Sequence, residues 1–562
     1  MAQLIECVPN FSEGRDPALI RRITDEVERV EGVALLHVDP GKSTNRTVVT
    51  FAGPPGPVVE AAFWAIRMAA ELIDMRSHQG EHPRMGATDV CPLVPISGIS
   101  MEETARYAVE LARRVGTELA IPVYLYEHAQ PNPARRNLAT IRAGEYEGFA
   151  KKIKDPAWTP DFGPAELPPR SGATVIGARD FLVAYNVNLN TTSTRRANAI
   201  AFDVRELGRP KREGDPLTGK AVVDAKGNPV MIPGTLKAVK AIGWYIEEYG
   251  VAQVSMNLTN LAVTPLHTAF DEVCDKAETR GIRVTGSELV GLVPLATMLE
   301  AGRYFLRKQQ RSLGVSEREL IHIAIKSLGL DELGPFNPDE RIIEYRLRSG
   351  APKRLVDRTV AAFVDETASE SVAPGGGSVA ALMGSLGAAL GTMVANLSSH
   401  KRGWDGRWEE FSIWAERGQR LKDELLQLVD EDTAAFNRVM AALGMPKATA
   451  DEKAARSAAL EEANRGATMV PFRVMKAAFA SFDLLEAMAE HGNPASASDA
   501  AVGALCARSA VLGAWLNVRT NVPSLKDKSA VADLLAEGEG IAAETTGREA
   551  RILAIAKAKF GG

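Results

Sequence analysis

Hydrophobic and polar positions divide the chain into two parts with different periods. Up to residue 310, short apolar runs alternate with stretches in which apolar residues recur every three or four positions. The first pattern is typical of strands and the second of amphipathic helices. Beyond Gly314 the strand pattern nearly vanishes, and the helical period continues to the end of the chain. The pattern therefore predicts an α/β region followed by an all-α region.

The same order of strands and helices is predicted to occur twice in the α/β region. The order is β-α-β-β-α-β, with a helix and a strand added, and a proline-rich crossing precedes its recurrence. Strands are expected at 3–8, 33–38, 46–51, 87–96, 122–126, 181–189, 239–246, 251–259 and 283–287, and helices near 16–30, 57–75, 100–115, 194–207, 265–280 and 294–307. This order resembles two tandem ferredoxin-like α/β sandwiches, and a cleft between them would be a usual place for a ligand. Residues 209–233 are expected to form a surface insert.

The all-α region is predicted to be an antiparallel helical bundle. Helices are expected at 316–328, 352–369, 377–399, 405–444, 450–490, 496–521 and 526–560. Glycine and proline punctuate the segment between 314 and 352, which places the domain boundary there. The predicted domains are 1–180 and 181–314 for the two α/β halves, 315–351 for a linker and 352–562 for the bundle.

Composition narrows the class of protein. Of the 562 residues, 45% are hydrophobic and 24% are charged, with a net charge of −5. These values describe an ordinary soluble globular protein without a surface for nucleic acid. The four cysteines are scattered without a C-x-x-C pair, which argues against disulfides or a thiolate metal site and favours the cytoplasm. The N-terminus does not have the pattern of an export signal.

One segment has the length of a membrane span. Residues 375–399 carry no charged side chain and reach the nominal spanning length. Most of them are Ala, Gly, Ser and Thr, and Gly384, Gly387 and Gly391 would let a neighbouring backbone approach closely. A helix at the centre of the bundle explains this composition better, so no membrane association is expected.

Residues 78–97 hold two of the eight histidines, and histidine is suited to proton transfer near neutral pH. His78 and His82 fit the H-x-x-E-H pattern of zinc peptidases, which requires a helix. Gly80 and Pro83 disfavour that helix, so a loop is expected and a metal site is not. A loop with this content that leads into a strand is a common way to present catalytic groups.

Two other polar segments, 10–13 and 39–46, also fall near predicted strand ends. Gly41-Lys42-Ser43 has the end of a phosphate-loop pattern, but the position five residues before Gly41 is Leu36 and not glycine. A nucleotide site is therefore not expected.

In the bundle, helical spacing distinguishes the acids of the Asp430-Glu431-Asp432 run. The apolar residues Leu421, Leu425, Leu428, Ala435, Val439 and Leu443 recur every three or four positions with one gap, and Asp432 falls in that gap. Asp430 and Glu431 are expected to be solvated. Burial would raise the pKa of Asp432 and suit it to acid or base catalysis. The pattern fits a buried polar anchor between helices equally well.

The starts of two predicted helices each allow two interpretations. The glycines at 375–377 would expose backbone N–H groups to an anion, or they allow a sharp turn with Ser378 as the helix cap. Ser496 and Asp499 belong to a segment that would line a pocket, but they have the spacing of a capping box, which is the safer interpretation.

The individual segments resemble known families. Almost all of residues 1–310 resemble glutamate formimidoyltransferase, through LIECVPNFSEGRD, VDPGKSTNRTVVTFAGPP, GEHPRMGATDVCPLVPISG, PVYLYEHA, IRAGEYEG, PDFGP, GARDFLVAYNVNLN and GSELVGLVPL. The second half resembles formimidoyltetrahydrofolate cyclodeaminase, and also bacterial methenyltetrahydrofolate cyclohydrolases, through APGGGSVAAL, LVDEDTAAFNRVMAAL and NVRTN. Together the halves resemble the bifunctional family of histidine degradation.

This resemblance implies two reactions. The formimino group of N-formimino-L-glutamate passes to tetrahydrofolate, and 5-formiminotetrahydrofolate then closes to 5,10-methenyltetrahydrofolate with release of ammonia. Tetrahydrofolate, with or without a polyglutamate tail, is the expected co-substrate, no metal is expected, and the family forms homo-oligomers. A cyclohydrolase in the second half, or a folate-binding protein without turnover, are the alternatives.

The resemblance also assigns residues. The acid/base of the transferase corresponds to His82, and the cyclodeaminase acid corresponds to Asp432, which the helical pattern selects independently. Glu81 or Asp39 would orient His82, and Arg84 would hold a substrate carboxylate. Folate contacts carry over to one loop, formed by Gly163, Pro164, Ala165, Glu166, Leu167, Pro168, Pro169, Arg170, Ser171 and Gly172.

Overall fold

A computed structural model describes residues 3–42, 44–80, 83–214, 219–348 and 353–559. The chain forms two compact units, one of Met1–Ala301 with Ala324–Ala351 and one of Gly302–Ile323 with Pro352–Gly562. The first unit combines strands and helices, and the described residues of the second are helical. The predicted change of fold class along the chain is confirmed.

The first part of the α/β unit is built on a seven-stranded sheet. Its elements are β1 Leu4–Cys7, β2 Asn10–Phe11, α1 Pro17–Glu28, β3 Ala34–Gly41, β4 Arg46–Gly53, α2 Pro55–Leu72, β5 Thr88–Ser97, α3 Met101–Glu118, β6 Val123–Glu127, α4 Leu138–Arg142, α5 Glu145–Lys152 and β7 Thr174–Ala178. The strand order is β1-β4-β2-β5-β7-β6, and β3 pairs with β4. Only the β5–β7 and β6–β7 pairs in this sheet are parallel, as far as the described residues extend.

Local sequence explains where these elements begin. Asp16 caps α1, since its carboxylate accepts the N–H groups of Ala18 and Leu19 and Pro17 occupies the first turn, as predicted. Ser100 and Glu103 form a capping box at the start of α3. The apolar faces of α1, α2 and α3 then pack on one face of the sheet.

Four elements of this part were not predicted from the sequence. They are β2, α4, α5 and β7. All five residues of β7 are buried, so the strand has no alternation of polar and apolar positions to reveal it. It lies between β5 and the edge strand β6.

The second part of the α/β unit contains a four-stranded antiparallel sheet, whose strands in spatial order are β13 (Val239–Ile246), β14 (Val251–Leu258), β8 (Val183–Leu189) and β15 (Val284–Val290). The elements from here to the bundle are β8 Val183–Leu189, α6 Thr194–Val204, β9 Arg209–Pro210, β10 Arg212–Glu213, β11 Lys220–Ala221, β12 Met231–Ile232, β13 Val239–Ile246, β14 Val251–Leu258, α7 Leu266–Glu278, β15 Val284–Val290, α8 Leu295–Lys308, α9 Glu317–Leu328, α10 Pro338–Arg341 and α11 Ile343–Arg348. The predicted insert at 209–233 contains the short pairs β9–β12 and β10–β11.

The helical unit follows the predicted series of helices closely. It contains α12 Val360–Thr367, α13 Gly376–Ser399, α14 Trp408–Leu443, α15 Ala450–His491, α16 Ala497–Asn521 and α17 Lys528–Lys559. Pro471 lies within one continuous helix. The core contains residues of α13, α14, α15 and α16, many of them alanine.

Two helices of this unit, α13 and the one within 494–524, are long and apolar enough to cross a membrane by length and composition. In α13, 61% of the most apolar window is buried inside the unit. The backbone of α16 approaches so closely that a Cβ at Gly387 would lie 2.8 Å from the carbonyl oxygen of Gly503. The small residues of α13 thus serve close helix packing, as the sequence suggested.

A segment before the predicted boundary is part of the helical unit. The backbone N–H of Leu313 donates to Ser412 Oγ at 2.9 Å. The carbonyl of Gly314 accepts the side-chain amides of Asn396 at 2.9 Å and Gln419 at 3.1 Å. A Cβ on Gly314 would lie 2.3 Å from the backbone of Ala415, so only glycine fits here.

Candidate functional site

The three polar segments near strand ends of the α/β unit lie together. Ser12 donates through its hydroxyl to the carbonyl of Gly86 at 2.8 Å. Asn45 accepts the backbone N–H of Gly14 at 3.0 Å and donates to the carbonyl of Gln79 at 2.9 Å. Ser12 and Asn45 are both buried. These side chains therefore fix the 78–86 loop from two sides.

Arg84 is the charged centre of this loop. The residue is 6% exposed, and its guanidinium pairs with both oxygens of Glu147 at 2.6 and 2.9 Å and with Glu145 at 3.2 Å. Its remaining N–H groups donate to His78. Arg84 thus uses its donors within the protein, and the expectation that it holds a substrate carboxylate has no free donor to support it.

Asp89, on β5, holds the other end of the loop. It is fully buried, accepts the backbone N–H of Met85 at 3.0 Å and forms an ion pair with Arg142 at 2.6 Å. Burial raises its pKa, and Arg142 opposes that shift. Asp89 was missed from the sequence, although one signal was present. It is the only charged residue in the apolar run 87–96, where a lone acid needs a partner.

An open cavity of about 440 Å³ adjoins the loop. It is lined by Gln79, Gly80, Arg84, Gly144, Glu145 and Glu147. The predicted catalytic residue His82 and its neighbour Glu81 follow Gly80 in sequence and lie outside the described residues, as does Ser43. Asp39, proposed to orient His82, is exposed on β3. Within the described ranges, no group of three or more His, Cys, Asp or Glu side chains is placed to hold a metal ion.

The predicted folate loop, Gly163–Gly172, is an irregular segment whose end pairs with the 78–86 loop. Gly172 forms a bridge with Gly86, and the backbone N–H of Ala87 donates to Ser171 at 2.8 Å. Gly172 has a φ of +68°, and a Cβ there would lie 2.4 Å from the Met85 carbonyl. The structure therefore brings the two predicted transferase segments together, while the described side chains of this loop are mostly exposed or partly buried.

In the helical unit, the carboxylate of Asp432 lies at the first turn of α13. Ser378 Oγ is 3.1 Å from Asp432 Oδ2, 2.9 Å from the carbonyl oxygen of Val429 and 3.2 Å from Thr433 Oγ1. The backbone N–H of Ser378 also donates to Asp432. A Cβ on Gly377 would lie 2.2 Å from Asp432 Oδ1, so the carboxylate occupies the space that the glycine leaves.

Burial raises the pKa of Asp432, and the hydrogen bonds from Ser378 oppose this shift. No arginine, lysine or histidine forms an ion pair with Asp432 in the part of the chain that the structure describes. Asn517 of α16 lies on the other side of the same helix start, since a Cβ on Gly376 would be 3.4 Å from its amide nitrogen. Asp432 is partly buried, which agrees with the predicted position on the core-facing stripe, but Asp430 is partly buried too. The catalytic role of Asp432 stays a prediction.

Three sequence expectations about neighbouring residues are wrong. Ser378 does not cap α13, because the helix begins at Gly376 and the hydroxyl lies against α14. Ser496 forms no capping box, because the turn Pro494–Ser496, capped by Asn493, precedes α16 and gives Ser496 a near-helical ψ of 14°. Asp430 is not solvated, because it is partly buried and accepts the N–H of Leu355 at 2.6 Å. Glu431 forms an exposed pair with Arg473, as expected.

Three family descriptions match successive parts of the chain. "Formiminotransferase domain, N-terminal subdomain" matches residues 4–179, "Formiminotransferase domain" matches 184–348, and "Formiminotransferase-cyclodeaminase" matches 359–539. The three matches cover both candidate sites.

Curated proteins resemble either the whole chain or one half of it. A formimidoyltransferase-cyclodeaminase of Gallus gallus is 45% identical over 529 residues, which is 94% of each chain. A glutamate formimidoyltransferase of Thermoplasma acidophilum is 42% identical and aligns with 54% of this chain and 92% of its own length. A methenyltetrahydrofolate cyclohydrolase of Methylorubrum extorquens is 37% identical over 36% of this chain and 98% of its own length.

Proposed function

The chain belongs to the formimidoyltransferase-cyclodeaminase family, and from this premise we propose that it is a bifunctional enzyme with both activities of that name. It transfers the formimino group of N-formimino-L-glutamate to tetrahydrofolate. It then converts 5-formiminotetrahydrofolate to 5,10-methenyltetrahydrofolate and ammonia. The observation that carries this proposal is 45% identity over 94% of the chain to a protein with both activities in its name.

The first reaction is assigned to the 78–86 loop. N5 of tetrahydrofolate attacks the formimino carbon, and the tetrahedral intermediate collapses when its bond to the glutamate nitrogen breaks. The nitrogen leaves as a neutral amine only if it receives a proton. His82 is proposed to take the proton from N5 and to return one to the amine, a role worth roughly 10²–10⁴-fold in rate. The anchoring of the loop through Asn45, Arg84 and Asp89 supports this assignment.

The folate contacts of the transferase are assigned to Gly163–Gly172. The bridge of Gly172 to Gly86 supports this, because it holds the segment against the loop that carries His82 in sequence. Only backbone contacts are proposed for the interior residues of this loop, because the side chains of Ala165, Glu166 and Pro169 are exposed.

The second reaction is assigned to the start of α13. N10 attacks the formimino carbon and the bond to the former imino nitrogen breaks, so that nitrogen must leave as ammonia. Asp432 is proposed to donate the proton. A raised pKa keeps part of the carboxyl population protonated at higher pH, which suits a general acid. The Ser378 hydroxyl and N–H fix the direction of the carboxyl group.

Several finer properties belong to the same proposal. We infer ferredoxin-like topology for each α/β half, with domains at 1–180, 181–314 and 352–562 and a linker at 315–351. Within these bounds, residues 302–323 pack with the bundle. Homo-oligomers, a cytoplasmic location, polyglutamylated folate as a form of the substrate and reactions without a metal are proposed from the family resemblance.

A second candidate function is a cyclohydrolase activity in the bundle. The similarity of residues in this half to a methenyltetrahydrofolate cyclohydrolase favours it. In that case water attacks the methenyl carbon of 5,10-methenyltetrahydrofolate and no ammonia is formed.

One coupled assay tests these alternatives. The full-length protein receives formiminoglutamate and tetrahydrofolate, and ammonia and the methenyl chromophore are followed together. Equal amounts of both products are expected. Hydrolysis of added methenyltetrahydrofolate without ammonia release would favour the cyclohydrolase, and binding of tetrahydrofolate with no product would identify a protein without turnover.

A further inference from the structure

The loop from His78 to Arg84 is closed at its base by its own end residues. Arg84 Nη2 donates to the backbone carbonyl of His78 at 3.1 Å, and Arg84 Nε donates to His78 Nδ1 at 3.2 Å. Glu81 and His82 lie between these residues in sequence. The contact therefore joins the chain before the predicted catalytic histidine to the chain after it.

All five N–H donors of Arg84 are used in this arrangement. Nε and one Nη2 hydrogen serve His78, the second Nη2 hydrogen serves Glu147, and the two Nη1 hydrogens serve Glu145 and Glu147. A bidentate arginine–carboxylate pair fixes the plane of the guanidinium. Glu147, at the start of α5, thus holds Arg84 in the orientation that His78 requires.

The contacts of His78 define its tautomer. Nε2 lies 2.9 Å from the carbonyl oxygen of Asn45, which only accepts, so Nε2 carries the hydrogen. Nδ1 accepts from Arg84 and therefore carries none. Both contacts together require a neutral ring. A protonated ring would direct a second N–H at the N–H of Arg84 and bring two positive charges together.

The surroundings of His78 act on its charge from several elements. Burial lowers its pKa, the Asn45 carbonyl raises it, Arg84 lowers it, and Glu13 raises and Arg15 lowers it from the connection between β2 and α1. Glu147 faces the same region from α5. The depressed pKa of His78 agrees with the neutral ring that the hydrogen bonds require.

We propose that His78 is a positioning residue for formimino transfer, and that its neutral ring together with Arg84 closes the loop that carries His82. Protonation of His78 opens the base of the loop and removes transferase activity. The inference rests on the proposed function, because it takes the 78–84 loop as the site of transfer. His78 acts through the loop and contacts no reacting atom.

The sign of the pH effect follows from the neutral ring. The pKa of His78 is lower in the native protein than in the unfolded chain, where it is about 6.5. The closed loop therefore has its full stability above about pH 6.5, and this stability is lost as the pH falls toward the native pKa. His82 must also be neutral to accept a proton. The logarithm of kcat/KM for transfer should therefore fall with a slope that steepens from one to two toward acid pH.

The test compares pH profiles of full-length variants. His78→Asn keeps an acceptor for Arg84 and does not titrate, so we expect a slope of one at all acid pH values. His78→Ala removes both contacts and should lower kcat/KM about 100-fold at pH near 8, with His78→Asn recovering at least tenfold. His322→Asn, an exposed histidine on α9, is the control and should keep the wild-type profile. A slope of two in His78→Asn, or equal losses in both His78 variants, would overturn the proposal.

A second measurement does not depend on activity. Nitrogen NMR of labelled histidine rings should show His78 as the neutral Nε2–H form near pH 7.5. A charged or Nδ1–H ring in the wild type would overturn the inference. If the wild type transferred no formimino group at any pH, the proposed function would be wrong. The NMR spectra of the His78 ring would still show whether His78 and Arg84 are in contact.

Discussion

The two candidate sites differ in how their charged groups are held. The 78–86 loop is surrounded by paired charges, with Arg84 between Glu145 and Glu147 and Asp89 against Arg142. Asp432 has hydrogen bonds from Ser378 and no ion pair among the described residues, and burial dominates its pKa. Ion pairs hold a loop in place, whereas burial shifts the proton affinity of a single group. The comparison indicates that paired charges position the loop of the first site, whereas the second site relies on the burial of a single carboxyl group.

The largest effect is expected from Asp432→Asn, which keeps the shape of the side chain and removes its proton. Ammonia release from 5-formiminotetrahydrofolate should fall about 10²–10⁴-fold, while formimino transfer to tetrahydrofolate stays at the wild-type rate. Glu431→Gln, one position away in an exposed ion pair, is the matched control and should change either rate less than about twofold. An unchanged rate of ammonia release in Asp432→Asn would remove Asp432 from the mechanism.

Gly172→Ala tests whether the folate loop positions the 78–86 loop of the first site. Alanine is disfavoured at a φ of +68°, and its Cβ would meet the Met85 carbonyl at 2.4 Å. The free energy of unfolding of the α/β unit should fall by about 2–4 kcal/mol in urea titration, with loss of folate binding to the transferase. Gly56→Ala, where a Cβ meets no atom within 4 Å, should not destabilise the unit. Equal stability of both variants would contradict the pairing of the two loops.

Adjacent glycines allow a sharper test at the second site. Gly377→Ala would place a Cβ 2.2 Å from Asp432 Oδ1, whereas Gly376→Ala meets its nearest neighbour at an ordinary 3.4 Å. The first change should displace the carboxyl group and reduce cyclodeaminase kcat about 100-fold. The second should leave kcat within about threefold. If both variants lost activity equally, the position of the carboxylate would not be the controlling feature.

The smallest effect concerns pH. Ser378→Ala removes a hydrogen bond that lowers the pKa of Asp432, so that pKa should rise further. Because a general acid works in its protonated form, the alkaline limb of the cyclodeaminase kcat profile should move to higher pH. The raised pKa also makes the ionised Asp432 costly to the fold, a cost relieved as pH falls through the native value. A limb that stays fixed or moves toward acid would contradict the role of the Ser378 hydrogen bond in lowering the pKa of Asp432.

Sequence periodicity predicted the helices of the second unit better than the contacts at their ends. Asp432 was selected because a helix repeats every 3.6 residues, which places this residue on the same face as the apolar stripe, but Asp430 is partly buried as well. The environment of Asp430 was not visible, because Leu355 reaches it across 75 positions. Ser378 was misassigned for the same reason, since its hydroxyl finds Val429 on another helix and not its own backbone.

In the α/β unit, the strands and the main helices were predictable and the network around the loop was not. Arg84 and Glu147 are far apart in sequence, and α5, which carries Glu147, has only eight residues and a weak pattern. β7 was hidden because every residue in it is buried. The motifs indicated which segments carry the candidate catalytic residues. The ion pairs of Arg84 and Asp89 could not be predicted, because their partners are distant in sequence and only the fold brings them together.

The docking of Gly314 also bears on whether the two halves are separable. The segment matched as transferase extends to residue 348, yet residues 302–323 belong to the helical unit. A bundle expressed from residue 353 onward would lack the Gly314 carbonyl and leave the amides of Asn396 and Gln419 without their acceptor. The helical unit thus includes a segment that precedes the linker in sequence, and a gene divided at that linker would encode an incomplete second protein.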